Sequence, residues 1–349
     1  MTKKHVDIVV VGLNFGRHIV QDLSADGGNS HVRLAGVCDI DREKARSVSE
    51  EYGGVRIYDS LDDVLSDESI PAVGLFTGPG GRASLIRRII DAGKDVMTTK
   101  PFESDPDAAQ AILELARERG RTVHLNSPSP GVSEDLATVE RWQEEYELGR
   151  PVGARADVWA HYREQPDGRW YDDPDTCPAA PLFRLGIYPI NDVVRLLGRA
   201  RRVCTFSSRL FTARPTADNA QLSVELESGA LAAIYASFCV RDGDTYRNGL
   251  TLNFENGTVY RNVGPVRAAS GSAAEMSVVT GADRSTRRVA ESVALDCTSG
   301  HYDWEGFAAA VRKEPDAPTY VLDHVVEPLR IVKAMALSEK TGRIADVLR

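Results

Sequence analysis

The sequence predicts an α/β protein in two parts. The first is a doubly wound parallel sheet, and the second is an α/β domain with a large, mostly antiparallel open sheet. Three observations carry this. Apolar runs alternate with amphipathic stretches through the first ~125 residues, the rhythm of a sheet with helices on both faces. After Pro128 that rhythm stops, and strand-like segments follow one another with few helices between them. Asn256-Gly257 and Glu227-Ser228-Gly229 each separate two apolar strands, as hairpin turns do.

In order, "HVDIVVVG" reads as a strand buried on both faces and "GRHIVQDLSA" as a helix. "VRLAGVCDID" and "REKARSVSEEYG" repeat the pair, followed by "AVGLFTG" and "RASLIRRIIDAG". "DVMTTK" is the fourth strand. "DPDAAQAILELARERG" starts with acids and proline and ends in arginines and glycine, so it is a well-capped helix. "TVHLN" is the fifth strand. In the second part a helix over roughly 131–148 leads into the alternating strand "GARADVWAHYR", and a helix follows over roughly 185–197. Then come "RVCTFSSRLF", "AQLSVELESGALAAIYASFCV", "GLTLNFENGTVYRNV" and "RRVAESVAL", with final helices near 303–312 and 324–341. The expected domains are 1–126 and 127–349.

Composition excludes several classes. A formal charge of −9 disfavours nucleic acid as a partner. No apolar run approaches the ~20 residues of a membrane span, and the N-terminal run ends in a glycine turn without a cleavage site. Five cysteines, Cys38, Cys177, Cys204, Cys239 and Cys297, are scattered singly, which suits the cytoplasm and argues against a disulfide framework. His, Asp and Cys cluster at no metal spacing, so no metal is expected.

The first strand runs into Gly12-Leu13-Asn14-Phe15-Gly16, a GxNxG turn one residue shorter than the dinucleotide fingerprint. Gly12 allows the tight turn and Gly16 the close approach of a helix N-terminus to phosphate. Asn14 tolerates the left-handed conformation that a second glycine normally supplies. Asp39, after the second strand, is where an acid binds the ribose hydroxyls of NAD and repels the 2′-phosphate of NADP. Arg42 beside it either stacks on adenine or accepts that phosphate, so NADP is not excluded. The alternative for Asp39 is a helix N-cap.

The 42 basic residues include eight lysines, and none lies between Lys100 and Lys313. A lone lysine in an arginine-rich chain suits proton chemistry, since lysine loses its proton when crowded and arginine does not. Together with "DAGKDVMTTKPF" and "LGIYPINDVVRLLG", the strand–GxxxG–helix and the acid after the second strand resemble the Gfo/Idh/MocA oxidoreductases over nearly the whole chain. The resemblance implies a Rossmann domain and hydride transfer between nicotinamide and a hydroxyl-bearing carbon of a sugar, cyclitol or related, possibly anionic, compound. It implies that Lys100 assists proton transfer with Tyr188. It places Phe15, Thr77, Gly78, Lys100 and Pro101 with the cofactor. It also implies a homodimer or homotetramer through the C-terminal sheet.

The chain departs from the family pattern at three places. Glu-Lys-Pro reads Thr99-Lys100-Pro101. The usual Asp-x-Gly-x-His/Tyr reads Arg184-Leu185-Gly186-Ile187-Tyr188, and Thr-Pro-Asn-x-x-His ends in Arg82. Arg184 cannot act as a base. It either favours a tyrosinate at Tyr188, binds an anionic substrate group, or marks lost chemistry. Asn126 after the fifth strand, Asn191 and Asp192 one turn beyond Tyr188, and Arg163 and Trp170 in a polar, aromatic loop complete the expected substrate side. The competing reading is a nucleotide-binding sensor of the same family without turnover.

Overall fold

The computed structural model describes residues 5–25, 29–243, 246–264, 273–296, 298 and 300–349; Cys297 lies outside them. The chain forms two compact units, Met1–Gly131 with Tyr302–Leu322, and Val132–His301 with Asp323–Arg349.

The first unit begins β1 (Val6–Val11), α1 (Gly16–Ser24), β2 (Val32–Cys38), α2 (Arg42–Glu51), β3 (Ile57–Tyr58) and α3 (Leu61–Ser66). It continues with β4 (Ala72–Leu75), α4 (Arg82–Asp91), β5 (Asp95–Thr98), α5 (Pro106–Glu118) and β6 (Val123–Leu125). The six strands run parallel in the order β3-β2-β1-β4-β5-β6. Helices cover both faces of such a sheet, so β1 and β4 are buried almost throughout. β3 and α3 were not anticipated, because two strand residues and six helical ones are too short to show a period. α2 and α5 start as their sequences suggest. Asp41 accepts from the Lys44 amide, and Asp105 accepts from Asp107 with Pro106 in the first turn.

The second unit contains α6 (Glu134–Glu145), β7 (Pro151–Trp159), α7 (Ile187–Leu197), β8 (Ala200–Ser208), β9 (Asn219–Leu226) and β10 (Leu231–Ser237). It adds β11 (Arg247–Phe254), β12 (Gly257–Arg261), β13 (Ala274–Thr280) and β14 (Arg288–Leu295). A wide turn of π type, Leu182–Gly186, feeds α7. After α8 (Trp304–Val311), which belongs to the first unit, α9 (Leu322–Thr341) and β15 (Ala345–Asp346) close the chain. The nine strands lie in the order β14-β13-β12-β11-β7-β10-β9-β8-β15. Only β7 and β10 pair in parallel; the other neighbours are antiparallel. Both hairpins form where the turn residues stand, with Phe254 opposite Gly257 and Leu231 opposite Glu225. One face of the sheet packs on α6, the Leu182–Gly186 turn, α7 and α9 through Trp142, Phe183, Ile190, Ile331 and Met335. Alternate residues of β7 and β9 are therefore buried and the others face outward.

One core group in the first unit makes stability pH-dependent. His124 on β6 is fully buried, packs edge-on against Phe307, and neither ring nitrogen has a hydrogen-bond partner among the described residues. Burial, opposed by Asp303, lowers its pKa to about 4. The unfolded chain takes up this proton near pH 6.5, before the folded one does, so stability is complete above that pH and is lost as pH falls toward 4. Between pH 7.5 and pH 5, wild type is expected to lose about 2 kcal/mol more than His124→Leu in urea unfolding. Parallel acid limbs for the two proteins would contradict this.

Candidate functional site

The parallel sheet reverses its strand order between β1 and β4, and ligands of such sheets sit at the carboxyl ends of strands beside that point. Gly12 follows β1, Asp39 follows β2, Thr77 lies two residues past β4, Lys100 lies two past β5, and Asn126 follows β6. Topology thus puts the first unit's predicted residues along one edge of its sheet.

At the first turn, Gly12 has φ +88°, and a side chain there would meet the backbone of Phe76 at 3.1 Å. Gly16 lies so near Val10 that a Cβ would stand 2.9 Å from its Cγ1. Asn14 corrects one expectation: it is not among the residues with positive φ, so Gly12 alone supplies the left-handed step. The N-terminus of α1 has no side-chain cap and no acid in its first turn, which leaves its amides suited to phosphate.

Asp39 is buried; its Oδ2 accepts from the Leu13 amide at 2.6 Å and its Oδ1 from the Asp41 amide at 2.9 Å. The N-cap of α2 is Asp41, so Asp39 is not that cap. Lys44, which sequence reading passed over, donates to Asn14 Oδ1 at 2.9 Å and lies 3.9 Å from Asp39. Arg42 is largely exposed, 3.4 Å from Asp59. These contacts fit a nicotinamide dinucleotide: amides for the pyrophosphate, a carboxylate for the ribose.

Lys100 is half-buried, and its amide donates to Asn126 Oδ1 at 3.1 Å. The Lys100–Pro101 peptide is cis. Thr99 Oγ1 accepts from the Tyr302 hydroxyl at 2.8 Å. Tyr302 in turn packs against Phe76, Phe15 and Trp304, with ring centres 5.8, 6.4 and 5.8 Å away. Tyr302 lies about two hundred residues from Thr99, and no local pattern connects them. Thr77 and Gly78 are half-buried beside the same strand ends. Asn126, expected on the substrate side, is only 2% exposed and commits its side-chain oxygen to the lysine turn.

In the second unit Tyr188 is the second residue of α7 and half-buried. Gly300 (φ +106°) lies against its ring so closely that a Cβ would come within 2.7 Å. Tyr162 and Tyr246 have raised pKa values, through burial first and Tyr188 among the other causes, so three phenols gather here. Arg184 makes a two-pronged bond to Glu164, Nη1–Oε2 2.6 Å and Nη2–Oε1 2.9 Å. Its guanidinium also lies over Tyr171 and Phe238, at 4.5 and 4.8 Å. Burial pulls its pKa down, but Glu164 more than offsets this, and the net shift is upward. Arg214 holds the same loop through Asp172 and Asp167. Glu164 and Arg214 were missed because a bidentate ion pair has no sequence period.

Trp170 packs edge-on against Phe183 and Tyr171. Arg163 lies over Phe211 at 4.4 Å. Asn191 and Asp192 are both buried. The Asp192 carboxylate accepts from Arg261 at 2.7 Å.

Residues 6–127 match the model described as Oxidoreductase family, NAD-binding Rossmann fold, and residues 136–260 match the GFO/IDH/MocA C-terminal domain. An uncharacterized oxidoreductase of Schizosaccharomyces pombe is 26% identical over 161 residues, which span 46% of this chain and 42% of that protein. D-xylose 1-dehydrogenase (NADP(+)) 2 of Haloferax volcanii is 24% identical over 91% of this chain and 93% of its own length. The solved structure of levoglucosan dehydrogenase with NADH and levoglucosan shares the fold, with TM-score 0.76 at 14% identity, covering 99% of this chain and 100% of that one. No helix among the described residues is long and apolar enough to cross a membrane.

Proposed function

The chain belongs to the GFO/IDH/MocA oxidoreductase family, with an NAD-binding Rossmann domain, and from that premise we propose that it moves a hydride between a nicotinamide cofactor and a hydroxyl-bearing carbon of a sugar, cyclitol or sugar derivative. The observation that carries this reading is Lys100, half-buried at the carboxyl edge of the sheet with its amide fixed by Asn126. The Gly12–Gly16 turn and the start of α1 would hold the pyrophosphate, and Asp39 the ribose. When bound, the cofactor supplies or accepts the hydride. The alcohol loses its hydroxyl proton as hydride leaves, and Lys100 and Tyr188 are the groups assigned to that proton.

Arg184 is held by Glu164, which also lies 3.3 Å from Arg214, so its charge is already met within the protein, and this favours an uncharged substrate. A panel of D-xylose, levoglucosan and myo-inositol, run beside the corresponding phosphates and acids with NAD and NADP, tests this by NADH or NADPH formation. Neutral sugars are expected to lead. A preference for the anions that Arg184→Ala abolishes would overturn the neutral-substrate reading. The second reading, a sensor without turnover, is favoured by one observation: position 184, where the family carries an acid, holds an ion-paired arginine. Tight NADH binding with no turnover of any panel member would establish it.

Asp39 also sets an expectation for the cofactor. Asp39→Ala is expected to weaken NADH binding roughly tenfold while NADPH affinity holds or rises, since a carboxylate that binds ribose also repels a 2′-phosphate. Calorimetry that found both nucleotides weakened alike would contradict this.

The outward face of the nine-stranded sheet bears a groove of about 490 Å³ lined in part by Arg155, Arg202, Leu231 and Ile344. Leu231 and Phe206 are more than 60% exposed on that unit, which supports a second copy of the chain as its partner. A monomer in sedimentation equilibrium at micromolar concentration would remove that proposal.

A further inference from the structure

Arg82 is the first residue of α4 and is 1% exposed. Both facts are unfavourable for a cation. A helix N-terminus repels positive charge, and a buried charge without a partner is costly. Among the described residues no carboxylate pairs with this guanidinium. The nearby Glu103 instead takes the amides at the start of α4, Ala83 at 2.7 Å and Gly81 at 3.2 Å. Burial lowers the Arg82 pKa to about 10, with Glu103 opposing.

Backbone carbonyls satisfy Arg82 instead. Its Nη1 donates to Thr99 O at 2.6 Å, to Phe102 O at 3.0 Å and to Pro101 O, while its Nη2 donates to Thr77 O. The acceptors therefore bracket Lys100 on both sides, at residues 99 and 101. The Lys100 amide is held separately by Asn126. One planar guanidinium thus ties the turn after β4 to the turn that carries the lysine. Positions 82 and 99 are also where the chain departs from the family's histidine and glutamate.

We infer that Arg82 is a positioning residue for Lys100: by gathering the carbonyls on either side of that lysine it sets where the amine is presented. A fork with several donors in one plane suits this task, whereas an ammonium offers a single point. The inference rests on the reading of Lys100 as the proton-handling amine.

The test compares Arg82→Met and Arg82→Lys with wild type in the full chain. The first readout needs no substrate: the rate at which trinitrobenzenesulfonate labels Lys100, mapped by mass spectrometry, with the other lysines as internal controls. The second is kcat and the KM for NAD with whichever panel sugar is turned over. In Arg82→Met, Lys100 is expected to label at least roughly threefold faster while the other lysines keep their rates. kcat is expected to fall roughly 10²-fold with little change in KM, the size of loss a misplaced group produces. Arg82→Lys is expected to fall between the two. Wild-type labelling and kcat in Arg82→Met would overturn the inference, as would faster labelling of every lysine together, which marks general loosening. If Arg82→Met does not fold, Arg82→Lys decides, and wild-type values in it overturn the inference. If wild type turns over no panel sugar, the proposed function falls, and the labelling rate alone still decides on Arg82.

Discussion

Arg261→Met is expected to cost the second unit about 3–5 kcal/mol of stability, the loss typical of removing one partner from a buried ion pair. Arg261 on β12 is 2% exposed, and its guanidinium donates to Asp135 at 2.6 Å, to Asp192 at 2.7 Å and to Asn248 at 3.3 Å. Asp135 lies on α6 and Asp192 on α7, so one side chain pins both helices to the sheet. The two carboxylates lower the energy of the buried cation enough to raise its pKa despite burial. Methionine would leave two carboxylates close together in the core with nothing positive between them. Urea unfolding followed by tryptophan fluorescence measures the loss. Adding Asp135→Asn and Asp192→Asn to Arg261→Met is expected to restore much of it, because the cost arises from uncompensated charge more than from lost packing. A loss under about 1 kcal/mol in the single variant would show that the cluster is not the anchor the geometry makes it. Asp192 is one turn past Tyr188 on α7, so the same variant is expected to disturb the phenol's placement as well.

Lys100→Met is expected to lower kcat by roughly 10²–10⁴ and to leave NADH binding within about threefold, the range seen when a general acid or base is removed. Methionine keeps much of the length and apolar stem of lysine, and the Asn126 contact is made by the backbone amide, so the turn itself should persist. Tyr188→Phe, which removes only the phenol oxygen, is expected to show a smaller loss. A Lys100→Met enzyme that retained more than about a tenth of wild-type kcat would assign the proton to another group.

The two variants also separate what was legible in the sequence from what was not. Asp39 and the Gly12–Gly16 turn were proposed because each stands at a fixed offset from a strand end, whereas Lys100 stood out as a lone lysine among arginines, and its role and that of Tyr188 came from the resemblance to the family. Such offsets are local, and strand and helix periods reveal them directly. The parallel alternation, the two hairpins and the helix caps were legible for the same reason. β3 and α3 were not, because they are shorter than one clear period, and β13 was missed beside more evident strands.

The partners of the charged groups could not be read at all. Arg261 meets Asp135 across 126 residues, Arg184 meets Glu164 across 20, and Tyr302 meets Thr99 across 203. A salt bridge or hydrogen bond between distant segments imposes no spacing on either. The sequence by itself therefore determined the family, the two sheets and the residues at the strand ends. Only the tertiary structure decided what each charge faces. It set Arg261 against Asp192, paired Arg184 with Glu164, and set Arg82 on the carbonyls around Lys100. The physical reason is that backbone periodicity is written locally, whereas the electrostatic environment of a side chain is set by whatever the fold brings against it.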